Sequence, residues 1–119
     1  MSLEAFEFQP LRGGFLLIKI VINAEPMHDA MGRVALARTT IIRRNITIEL
    51  AASTSDADEI SISIYHEVLE SATVAALSPP AAVCELNEAG FEVAAKEAHA
   101  LHGAATPETL NRMLESFGF

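Results

Sequence analysis

The stretch ADEISISIYHEVLESATVAAL, residues Ala57 to Leu77, decides the fold. Its early part, Ile60-Ser-Ile-Ser-Ile64, alternates with period two and taken alone reads as a strand. From Tyr65 to Leu77 the chain has no turn residue and is rich in Ala and Leu. One long helix from about residue 57 to 77 therefore accounts for more of the pattern. Asp56, with Glu59 three residues later, fits a capping box, and Ser55 competes for the same role. Pro79 and Pro80 end the helix, because proline has no backbone donor and clashes with the preceding turn.

Upstream of this helix the pattern is that of strands. FLLIKIVI, Phe15 to Ile22, is β-rich and almost continuously apolar, and is expected to be a buried strand. NAEPMHDAM, Asn23 to Met31, contains Pro26 and reads as a turn or a single helical turn. Gly32 to Thr40 alternates, with Val34 and Leu36 expected inward and Ala35 competing, and Arg43 and Arg44 fall in a solvated turn. NITIEL, Asn45 to Leu50, alternates cleanly, placing Ile46, Ile48 and Leu50 on one face and Thr47 and Glu49 on the other. The segment before Phe15, with Pro10, Gly13 and Gly14, reads as irregular.

Downstream, a second helix is expected from about Leu86 to His102, stopped by Gly103. A third starts at Thr106 with Pro107 in its first turn and closes at Gly118. Strands first and helices afterwards make an α+β fold in one domain over residues 1–119. The expected architecture is a small antiparallel or mixed sheet of about three strands within residues 15–50. It packs against the helix at 57–77 and two further helices reaching residue 117.

The chain has 119 residues and a formal charge of −8, with 50% apolar residues, which suits a globular domain. A single cysteine, Cys84, excludes an intrachain disulfide and a multi-cysteine zinc cluster, and reads as a small buried hydrophobe. The negative charge argues against unaided binding to nucleic acid or an anionic membrane. No apolar run approaches a bilayer span, and the first residues lack a signal-peptide pattern, so the expected location is cytoplasmic.

The chemistry lies in two helices. HEVLE, His66 to Glu70, places an imidazole and a carboxylate four residues apart on one helix face, where both can converge on a metal ion. Glu67, rotated by about 100°, falls beside the same point, suited to take a proton from a water held there. A chain of this composition would contain roughly 0.05 such HExxE matches by chance. NEAGFE, Asn87 to Glu92, repeats the four-residue spacing with Glu88 and Glu92. Glu88 can complete a three-ligand set with His66 and Glu70, with Glu92 accepting from the other ring nitrogen of His66. Equally, Glu85, Glu88, Glu92 and Glu97 read as a solvated acidic face, and HEVLE as a paired polar patch. Gly90 inside the second helix costs about 1 kcal/mol against Ala, which a close approach of the two helices would justify. Tyr65, His99 and His102 are candidates by residue type for a hydrogen-bond donor to a transition state, His99 foremost.

HEVLE resembles the HExxH motif of zincin metallopeptidases, and NEAGFE is similar to the NExxSD motif of their gluzincin branch. The resemblance spans most of residues 32 to 102. It implies a minimal zincin-like fold in which His66, Glu70 and Glu88 bind Zn²⁺, Glu67 is the general base and Glu92 supports His66. It further implies hydrolysis of a peptide or protein substrate lying along an edge strand, expected to be Asn45 to Leu50. Glu70 stands where the family has His, and Phe91 where it has Ser. Two carboxylates and one imidazole would make a zinc site formally neutral, which polarises water less and also admits Mn²⁺ or Fe²⁺. A non-catalytic metal-binding or interaction module of the same fold is the alternative function. The sheet edge can also pair with a second copy of the chain, and the sequence leaves the oligomeric state open.

Overall fold

The computed structural model describes residues 2–53 and 56–119. After a 3-10 turn at Glu4–Phe6 come strands β1 (Gln9–Leu11), β2 (Phe15–Asn23), β3 (Met27–His28), β4 (Val34–Ala35), β5 (Ala37–Ile42) and β6 (Asn45–Ala51). Helices α1 (Ala57–Ala75), α2 (Ala81–Cys84), α3 (Glu88–His102) and α4 (Pro107–Ser116) follow. The fold is α+β, as the order of patterns implies. The main sheet has four strands rather than three, in the order β1-β2-β6-β5, and is mixed. β2 and β6 run parallel, while the two outer pairs are antiparallel.

Three expectations about the strands are corrected. The segment around Pro10 is not irregular: it forms β1, a three-residue edge strand, where a residue without a backbone donor is tolerated. Residues Asn45 to Leu50 are not an edge, because β6 is hydrogen-bonded on both sides and β5 occupies the edge. Alternation reveals which face of a strand is buried but not its place in the sheet. Val34 and Leu36 do not point inward, being 70% and 65% exposed. The chain breaks at Leu36 between β4, which pairs with β3 in a separate small sheet, and β5. Beyond that break the phase of alternation changes. Ala37, Thr39 and Ile41 lie opposite the buried row Leu50, Ile48 and Ile46.

α1 begins where expected. The Asp56 carboxylate accepts hydrogen bonds from the backbone amides of Asp58 and Glu59, at 2.7 and 3.3 Å. Ser55 lies outside the described residues. The helix lays Ile64, Val68, Leu69 and Ala72 into a core with Leu17, Ile46, Ile48 and Leu50, all with essentially no exposure. A fully buried aliphatic side chain contributes about 1.5–3 kcal/mol, so this contact fixes α1 on the sheet. The second helix starts at Glu88 rather than Leu86, because Asn87 is its cap and accepts from the Gly90 amide at 2.9 Å. Gly103, at φ +80°, ends it. Thr106 and Thr109 form the reciprocal cap of α4.

A buried polar clamp joins α1 to the α3–α4 connection. Ser61 accepts from the Ala105 amide at 2.8 Å and shares a 2.8 Å hydrogen bond with His99 Nδ1. Tyr65 donates to the Gly103 carbonyl at 2.9 Å. The clamp sets how α3 lies across α1. Among the described residues no helix is long and apolar enough to cross a membrane.

Candidate metal centre

His66 lies at the middle of α1, its side chain only 8% exposed, with the Phe91 ring of α3 centred 6.2 Å from its own. One helical turn on, Glu70 brings Oε2 to 3.2 Å from His66 Nε2. Glu88, the first residue of α3, brings Oε1 to 2.9 Å from the same nitrogen. One ligand atom from each of the three residues lies within 4.8 Å of the others. Tetrahedral ligands about 2.1 Å from zinc are spaced about 3.4 Å apart, so this arrangement needs only small adjustments to grip an ion. On the opposite side of the ring, Glu92 Oε1 is 3.6 Å from His66 Nδ1, placed to orient the imidazole.

The electrostatics point the same way. Burial raises the pKa of Glu70, and the adjacent Glu88 carboxylate raises it further, since both cannot hold negative charge cheaply at this separation. Burial also raises Glu67, with a hydrogen bond from Thr39 opposing the shift. For His66, burial disfavours the imidazolium, but Glu67, Glu88 and Glu70 outweigh it and raise the pKa. Without a cation the cluster therefore holds its protons more tightly than free side chains do. A divalent ion would replace them and neutralise Glu70 and Glu88.

Two open cavities flank the cluster. The larger, about 630 Å³, is lined by Asp29, Arg33, Thr39, Glu67, Glu70 and Glu88. The other, about 340 Å³, is lined by Ala35, Leu36, Ser63, His66 and Glu92, and shares Ala37, Glu67 and Glu88 with the first. Glu67 thus faces the cleft on both sides of the convergence point.

His66, Glu70 and Glu88 come together, with Glu67 beside them and Glu92 behind. His99 does not join them. Its Nδ1 is committed to Ser61 and its Nε2 lies 3.5 Å from Asp58. Ser61, His99 and Asp58 are the residue types of a nucleophilic triad, but Ser61 has no exposure and already accepts from Ala105. They act as a structural clamp. Tyr65 is fully buried on Gly103, and His102 lines a separate hollow with Met113 and Phe117. Gly90 makes no room for α1, since a Cβ there would meet Leu86 and Asn87 of its own segment. Cys84 is exposed rather than buried, its thiol directed at the carbonyls of Pro79 and Pro80.

Thr39 and Arg33 are among the cleft residues that the sequence does not single out. Thr39 of β5 donates to Glu67 Oε2 at 2.9 Å, and Arg33 lines the larger cavity while paired with Asp29 at 2.9 Å. Both lie where Val34 and Leu36 were expected to set the phase of alternation. Once β5 is paired against β6, Thr39 emerges as an inward hydroxyl opposite Ile48. No family model, curated protein or solved structure matches the chain.

Proposed function

We propose that this chain is a minimal zincin-like, metal-dependent hydrolase of peptide bonds. The observation that carries the reading is the convergence of His66, Glu70 and Glu88 on one point, with a separate carboxylate, Glu67, beside it and unused as a ligand. His66, Glu70 and Glu88 would hold the metal, and Glu92 would fix the imidazole so that Nε2 faces it. Zinc bound there supplies a Lewis acid that acidifies water and polarises a carbonyl. Glu67 takes the proton of the attacking water and delivers it to the leaving amine. The cleft, open on both sides of Glu67, accepts an extended chain, and the adjacent sheet edge is β5. The oxygen-rich ligand set also suits Mn²⁺ or Fe²⁺.

Glu67→Gln tests the reading, because it removes the base and keeps the three ligands. Zinc binding is expected to persist while cleavage of a quenched-fluorescence peptide library falls by about 10²–10⁴-fold. Retained cleavage in the variant would refute Glu67 as the base. Zinc binding without cleavage in the parent protein would leave the chain a metal-binding module.

A further inference from the structure

We infer that Thr39 is the positioning residue for Glu67: from the edge strand its hydroxyl fixes one carboxylate oxygen and leaves the other free for the attacking water. The inference rests on the hydrolase reading and identifies what holds its base in place.

Glu67 needs such a restraint. Its carboxylate is pulled by His66 and repelled by Glu88 and Glu92, and these opposed neighbours do not by themselves hold it in one place. A glutamate side chain has three rotatable bonds, and its rotamers spread over several ångströms. A productive general base must be held within about 0.5 Å. Helix α1 fixes only the Cα of Glu67.

Thr39 supplies what α1 does not. It is the polar member of the inward row Ala37, Thr39 and Ile41, set by pairing with β6 opposite the fully buried Ile48. A β-branched side chain on a paired strand has little χ1 freedom, so its hydroxyl is a fixed point. It donates to Glu67 Oε2 at 2.9 Å across 28 residues of sequence. Among the described residues this is the one hydrogen bond to the Glu67 carboxylate. Thr39 itself is not one of the converging ligand residues. It can therefore be removed without touching the ligand set.

The test compares Thr39→Val, which keeps the shape and removes the donor, with Thr39→Ser, which keeps the donor. Three readouts are taken: zinc affinity by calorimetry, turnover of quenched peptides, and affinity of the zinc-loaded protein for acetohydroxamate, whose hydroxyl can hydrogen-bond to Glu67. Thr39→Val is expected to bind zinc like the parent and keep KM. It should lose about 10–100-fold in kcat and bind acetohydroxamate more weakly, as loss of an orienting partner does. Thr39→Ser should restore both. In the metal-free protein, the stability effects of Thr39→Val and Glu67→Met, which leaves no acceptor for the hydroxyl, should be non-additive. Additive effects, or parental kcat and acetohydroxamate affinity in Thr39→Val, would overturn the inference. Failure of the parent protein to bind zinc would instead overturn the hydrolase reading.

Discussion

Replacing Glu88 with Gln keeps the size of the side chain and removes the charge that a cation requires. Glu88 is 77% exposed at the first position of α3, so the change leaves the core intact. In the metal-free protein three effects compete. Loss of a negative charge at a helix N-terminus costs about 0.3–1 kcal/mol and the His66 imidazole loses a carboxylate 2.9 Å away, while relief of the repulsion with Glu70 returns a comparable amount. The metal-free variant should stay within about 1 kcal/mol of the parent, or about 4 °C in melting temperature. With zinc the prediction is large. Free zinc at one hundred times its Kd stabilises the native state by about 2.7 kcal/mol. For 119 residues, an unfolding entropy near 0.25 kcal/mol/K turns this into a rise of about 11 °C. A hundredfold weaker site leaves about 0.4 kcal/mol at the same zinc concentration, a rise below about 2 °C. Differential scanning fluorimetry with and without zinc reads both numbers. A variant that gains the full parental shift would refute Glu88 as a ligand.

His66, Glu67 and Glu70 all have raised pKa values in the folded chain. The stability they contribute is full below their unfolded values, 4.5 for the carboxylates and 6.5 for the imidazole, and is lost as pH rises through the folded values. Metal-free protein should therefore lose stability in chemical denaturation as pH rises above 4.5 for the carboxylates and above 6.5 for the imidazole, and stability rising steadily with pH there would contradict the assignment. Ser61→Ala strands the buried Ala105 amide and should lower unfolding free energy in urea by about 1–3 kcal/mol, with zinc stoichiometry unchanged. A loss below about 0.5 kcal/mol would contradict the role of Ser61 as a clamp.

Most of the site was legible because helix geometry is local. Four-residue spacing alone puts His66 and Glu70 on one face and pairs Glu88 with Glu92, while the start of α3 at Asn87 is set by a cap that the sequence pattern did not mark. Which way that helix crosses α1 was not legible, because it depends on Ser61, His99 and Ala105, residues up to 44 positions apart. The strands show the opposite balance. The buried faces of β2 and β6 follow from their runs of Ile and Leu, but strand order is a property of long-range pairing. The same alternation in Asn45 to Leu50 suits a central or an edge strand. The phase of β5 is hidden for a related reason: Leu36 looks like an inward residue of one long strand, yet it is the break between two sheets, so Thr39 does not stand out. Residue type alone does not place His99, since its sequence position gives no hint that a buried serine would claim its Nδ1.

The central claim is that His66, Glu70 and Glu88 grip one divalent cation between two helices. Calorimetric titration of chelator-stripped, tag-free protein with zinc, checked by elemental analysis after gel filtration, tests it most directly. One equivalent should bind in the parent, and His66→Ala and Glu70→Gln should each weaken binding by about a hundredfold or more. Uptake below about a tenth of an equivalent, or equal uptake in the ligand variants, would contradict the account.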